Sequence, residues 1–112
     1  MPVLEKRTEE KYSVKIIGDS LSPEYPKDTV FTLSRSLPVT SGKIGMICFL
    51  YPDPFSKRLI RVNTLGMLYL NRDKIIIHRF NPSYKDIIVP RKHVLYIHKA
   101  VESIITISKR YI

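Results

Sequence analysis

The sequence is short of several things, and each shortage excludes a class of chemistry. It has a single cysteine, Cys48, so no internal disulfide forms and a reducing compartment is the simplest setting. The neighbours, Met46-Ile47-Cys48-Phe49-Leu50, are apolar and read as the surroundings of a buried structural thiol. The four glycines, at 18, 42, 45 and 66, are scattered and make no phosphate-binding loop. The three histidines, His78, His93 and His98, have no paired cysteines, no His-Glu-x-x-His and no carboxylate cluster around them. No metal and no cofactor are expected on that ground. Paired carboxylates of the glycosidase kind are equally unsupported. A Ser-His-Asp triad is not excluded by spacing, since triads assemble in space, but ordinary strand or surface positions explain all three histidines. No window comes near the ~18 uninterrupted apolar residues of a membrane helix. The first residues, MPVLEKRTEEKY, are charged and lack a signal peptide's apolar core. A cytoplasmic protein without a membrane partner is the expectation.

Acidic residues are also scarce: ten against nineteen basic, a net charge of +9 in 112 residues. The imbalance is local. Residues 1–56 carry seven of each sign, whereas residues 57–112 carry twelve basic and three acidic. A basic surface attracts nucleic acid or an acidic partner, or is simply lysine-rich and solvated. Zinc-finger spacing, ribonucleoprotein aromatic motifs and a helix-turn-helix pattern are all absent.

What the sequence does have is short β-type runs between turn residues. Residues 12–18, 29–33, 44–51, 55–62, 67–70, 74–78, 86–89, 94–97 and 103–107 read as strands, with Asn63-Thr64-Leu65-Gly66 as a hairpin connection. Ile44–Tyr51 is nearly continuous in apolar residues and reads as a strand buried on both faces. Lys99-Ala100-Val101-Glu102 gives a weak helical hint. Turn signals every 8–12 residues predict a mostly β, compact barrel or sandwich of short strands. Residues 1–11 read as a flexible arm and 12–112 as one domain.

The run Ser13-Val14-Lys15-Ile16-Ile17 is stopped by Gly18-Asp19-Ser20-Leu21-Ser22-Pro23. These are turn residues. A serine at such a break can also present its hydroxyl beside unpaired backbone N–H groups, as a nucleophile does. A lysine whose pKa is lowered by desolvation can serve as its base. Lys57, between Phe55 and Leu59-Ile60 and beside the apolar run, fits that role; its ordinary alternative is a strand lysine reaching solvent.

Three segments together resemble one family. GDSLSPEYPKDTV at 18–30 is similar to the nucleophile segment of LexA-like self-cleaving repressors, Gly-Asp-Ser-Met-x-Pro followed by Gly-Asp-x-Val. Phe55-Ser56-Lys57-Arg58-Leu59-Ile60-Arg61 is similar to the segment that carries their catalytic lysine, the phage lambda repressor's above all, 37 positions beyond Ser20. Asn81-Pro82-Ser83-Tyr84-Lys85-Asp86-Ile87 resembles their Asn-Pro-x-Tyr-x-x-Ile, and Pro38 to Gly42 their Pro-x-x-x-Gly loop. The resemblance covers about residues 12–101.

It implies the mostly β fold shared with UmuD-like proteins and related to signal peptidases. It further implies Ser20 as nucleophile, Lys57 as general base, main-chain N–H groups as oxyanion hole, and homodimerisation. The family's self-cleavage on an activated RecA filament, in the SOS response, would follow. DNA would be met only indirectly, through a helix-turn-helix domain. The sequence departs from the pattern at Leu21 (for Met), at Lys27 (for Gly), and in a longer stretch between Lys57 and Asn81. An alignment omitting that stretch puts Met67 at the lysine position. The family's Ala-Gly or Cys-Gly cleavage bond and its DNA-binding domain are absent from this chain. The expectation is therefore the C-terminal dimerisation and autopeptidase domain of a phage- or SOS-type repressor. The alternative is a catalytically silent, anti-repressor-like binding module of the same fold.

Overall fold

A computed structural model describes residues 10–105 and 108–111. The fold is mostly β: β1 (Lys11–Lys15), β2 (Val30–Ser34), β3 (Lys43–Pro52), β4 (Leu59–Leu70), β5 (Lys74–His78), β6 (Ile87–Pro90), β7 (Val94–Ile105) and β8 (Ser108–Tyr111), with a single 3-10 turn at Arg91–His93. All pairings are antiparallel, in the order β1-β2-β7-β3-β4-β5-β6, and β8 pairs with β7 beside this path. Most of the arm expected over 1–11 lies outside the described residues, and Lys11 already opens β1.

The two long strands organise the sheet. β7 pairs with β2 through Lys99–Ile104 and with β3 through Val94–Lys99. The helical hint at 99–102 is thus overridden: those residues belong to the ladder with β2, where Ala100 is fully buried. β4 corrects a second expectation. Asn63–Gly66 is no hairpin connection but the middle of one continuous strand, paired throughout with β3. Asn and Gly read as turn residues, yet Gly66 stands directly opposite Gly45. A Cβ at Gly66 would meet Ile77 Cγ2 at 2.8 Å and the His78 carbonyl oxygen at 2.9 Å. The glycine allows close approach of β5, not a turn.

Side chains alternate across a strand, so β3 feeds both faces of the sheet. Ile44 joins a cluster with Ile16, Leu21, Phe31, Leu33 and Ala100. Ile47 and Phe49 join another with Leu68, Ile75, Ile77 and Val89. The run is therefore buried on both faces over residues 44–49, whereas Tyr51 at its end is exposed, and Cys48 is a buried free thiol. Each such aliphatic or aromatic side chain contributes about 1.5–3 kcal/mol when fully buried. Among the described residues, no helix is long and apolar enough to cross a membrane.

Candidate functional site

The Ser20 turn is an excursion of residues 17–28 closed at its neck by two backbone bonds, Ile16 N–H to the Thr29 carbonyl at 2.9 Å and Asp28 N–H to the Ile16 carbonyl at 2.8 Å. Inside it, Ser22 N–H donates to the Asp19 carbonyl at 3.1 Å and Tyr25 N–H to the Leu21 carbonyl at 2.9 Å. These bonds coil 19–25 into helical turns; the Ser22–Pro23 peptide is cis. Leu21, 1% exposed, plugs the coil into the first core cluster. The excursion rejoins the sheet at a tight turn in which Asp28 has φ +74° and Thr29 donates its hydroxyl to the Pro26 carbonyl at 2.6 Å. Lys27 carries no strain at its own position, because the left-handed conformation falls on Asp28, a residue type that tolerates it.

The segment Asn81–Tyr84, 61 to 64 positions after Ser20 in sequence, docks onto this turn. Asn81 N–H donates to the Ser20 carbonyl at 3.0 Å and its amide to the Asp19 carbonyl at 3.0 Å. The Asn81 side-chain oxygen accepts the Ser83 N–H at 2.9 Å, which fixes the local turn. Tyr84 donates its hydroxyl to Asp19 Oδ1 at 2.7 Å, and this bond holds the Tyr84 phenol above its ordinary pKa. Arg79 lies over the Tyr84 ring at 5.1 Å and donates to the Lys85 carbonyl at 2.6 Å. Two of the three family-like segments are therefore in direct contact.

Ser20 lines a cavity of about 290 Å³. Ile16, Ile17, Gly18 and Leu21 form one wall, Asn63, Thr64 and Leu65 of β4 another, and Arg79 and Tyr84 the third. Lys57 is not part of it. The expected strand around Lys57 is instead the β3–β4 turn, between Pro52 and Leu59. Asp53 organises that turn: its N–H donates to the Arg58 carbonyl at 2.8 Å, and its Oδ2 accepts the Ser56 N–H at 3.0 Å and hydroxyl at 2.7 Å. These bonds hold the Asp53 carboxyl below its usual pKa, the Ser56 hydroxyl first. Lys57 closes the turn with φ +64° and its N–H on the Asp53 carbonyl at 2.9 Å, and its side chain is exposed. From Leu59 to Asn63 the strand alone covers ~13 Å at ~3.3 Å per residue. Ser20 thus lines the cavity, while Lys57 is exposed in the turn and is not among the cavity's lining residues. Met67, the alternative lysine position, lies further along β4 and also outside the cavity.

Of the expected oxyanion donors, Ser22 N–H is already taken by the Asp19 carbonyl. The cavity's cation is Arg79, whose guanidinium does not give up its proton in proteins and so cannot act as base. Arg79, Asn63 and Thr64 were not singled out from sequence: β4 was read as a hairpin there, and an arginine after a β run carries no signal. Among the described residues, no group of three or more His, Cys, Asp or Glu is placed to hold a metal ion. Compared with family models, curated proteins and solved structures, the chain matches none.

Proposed function

We propose that this chain is a catalytically silent, LexA-like domain: a cytoplasmic dimerisation and partner-binding module of the phage- or SOS-repressor kind. One observation carries the reading. Among the described residues, the Ser20 cavity is walled by Asn63, Thr64, Leu65, Arg79 and Tyr84 without Lys57, which sits exposed in the β3–β4 turn. A serine needs an adjacent base to become a nucleophile. The mutual docking of Gly18–Pro23 and Asn81–Tyr84 supports the likeness to the family's architecture, and the exposure of Lys57 outside the cavity removes the chemistry from it. In this reading Ser20 is a turn residue beside a binding cleft, and any RecA or operator DNA contact belongs to partners.

The test mixes the protein with a substrate bearing the family's Ala-Gly cleavage loop at alkaline pH, where a lysine base would be deprotonated. No cleavage is expected, with Ser20→Ala and Lys57→Ala indistinguishable from the parent. Cleavage abolished by Ser20→Ala would refute the silent assignment. Sedimentation at high concentration should give a dimer, and a strict monomer would remove the dimerisation role.

A further inference from the structure

The face that carries the first core cluster continues past the Ser20 turn into an uncovered aromatic and basic surface. Tyr96 and His98 stand two residues apart on β7, opposite Cys48 and Met46 of β3. Asn63 of β4 pairs with Cys48 from the other side. The Tyr96 and His98 rings are stacked, centroids 4.3 Å apart and 19° from parallel. Tyr12 of β1 meets the His98 ring edge-on at 5.4 Å, with its hydroxyl 2.6 Å from Nδ1. Arg35 lies over the Tyr12 ring at 4.2 Å. These side chains surround a cavity of about 410 Å³.

The Tyr12 hydroxyl and His98 Nδ1 share a hydrogen bond of 2.6 Å, and the same hydroxyl donates to Met46 Sδ at 3.9 Å. Burial and then the nearby Arg35 charge hold His98 below its ordinary value, so the ring is neutral near pH 7. Asn63 Oδ1 accepts the Tyr96 hydroxyl at 3.1 Å, and Asn63 lines the same cavity. Arg61, two residues before Asn63, acts electrostatically on Tyr96 from the same strand. Aromatic faces, side-chain donors and arginines on an open sheet surface are the features that hold unpaired bases and their phosphates. A net charge of +9 supplies the long-range attraction for a polyanion.

We propose that this face binds single-stranded nucleic acid, one base packing against the Tyr96–His98 pair and the adjoining phosphate against Arg35. The site is separate from the proposed silent Ser20 cleft in what it binds, although Asn63 borders both. A duplex is disfavoured, because its bases are already stacked on one another. This differs from the DNA contact expected through a helix-turn-helix domain.

The test is fluorescence anisotropy of the full chain with a labelled oligo(dT) of about 12 nucleotides, against a duplex of equal length, at about 50 and 200 mM salt. The single strand should bind more tightly, and its affinity should fall with salt. Tyr96→Ala should weaken it about tenfold with an unchanged salt slope. Arg35→Ala should reduce that slope by about 0.7, one phosphate contact on a single strand. Tyr96 is 37% exposed, so truncating it spares the core. Tyr96→Phe keeps the ring and should stay within about twofold of the parent. Absent binding at the lower salt, equal affinity for duplex, parental affinity in Tyr96→Ala, or a loss in Lys57→Ala matching that in Arg35→Ala would each overturn the proposal.

Discussion

Leu21→Ala is the substitution that asks most of this architecture. Within residues 17–28, Leu21 is the sole fully buried side chain, at 1% exposure among Ile16, Phe31, Leu33, Ile44 and Ala100. Truncation removes its transfer energy and leaves a cavity against a sheet that cannot collapse onto it. Together these cost about 3 kcal/mol. A domain of this size has about 5–15 kcal/mol in total, so the loss is a large fraction. The neck bonds at Ile16, Asp28 and Thr29 do not depend on Leu21, so part of the loss is expected as local opening of the turn. Two measurements separate the components. Urea unfolding reads the global change, and hydrogen exchange at the Ser22 and Tyr25 amides, which donate within the coil, reads the local one. Leu21→Met, of similar volume, should cost under about 1.5 kcal/mol by the same measurements. A global change below about 1 kcal/mol, together with unaltered protection of Ser22 and Tyr25, would refute the idea that Leu21 holds the turn.

Gly66→Ala should destabilise by about 1–2 kcal/mol, since its Cβ must displace a buried Ile77 and a backbone carbonyl while gaining only the small strand advantage of Ala. Gly18→Ala, with nothing within 4 Å of its Cβ, should be near neutral, and thermal melts of both test the pair. His98 makes stability depend on pH. Its pKa is lowered in the fold, by burial and then by Arg35, so the unfolded chain binds the proton more readily. Stability from this group is complete above the ordinary value of 6.5 and declines as pH falls below it, until the folded value is passed. Urea midpoints between pH ~5 and ~8 should therefore fall on the acid side less steeply in His98→Gln than in the parent, and identical slopes would refute the assignment.

The strands were legible because alternation and β-branched runs are local signals. The 44–51 run even declared its burial on both faces, which holds over residues 44–49. The contact of Gly18–Pro23 with Asn81–Tyr84 was legible only as co-occurring motifs, because no local rule says that Asn81 will reach the Asp19 and Ser20 carbonyls. Where the reading failed, one residue type had two physical uses. Gly66 was taken as a turn glycine and is a close-approach glycine. The sequence around Lys57 suits a desolvated strand lysine, yet Pro54 and the Asp53–Ser56 bonds shape a turn after Pro52 that leaves it exposed.

Lys57 sits in a turn whose place is set by the β3–β4 ladder. β3 and β4 are joined from Lys43↔Leu68 through Pro52↔Leu59 without a register shift. Relocating that turn would slide β4 along β3. Every odd step would reverse which face each β4 side chain occupies, driving Leu68 out of its cluster. An even slide would carry Gly66 away from Gly45 and set side chains with a Cβ against the β5 backbone that Gly66 now admits. The Asp53–Arg58 and Lys57–Asp53 backbone bonds would break as well. The same ladder that buries β3 on both faces thus fixes the turn that carries the exposed Lys57, and the serine's neighbours, Asp19, Asn81 and Tyr84, spend their hydrogen bonds on holding the Ser20 turn in place.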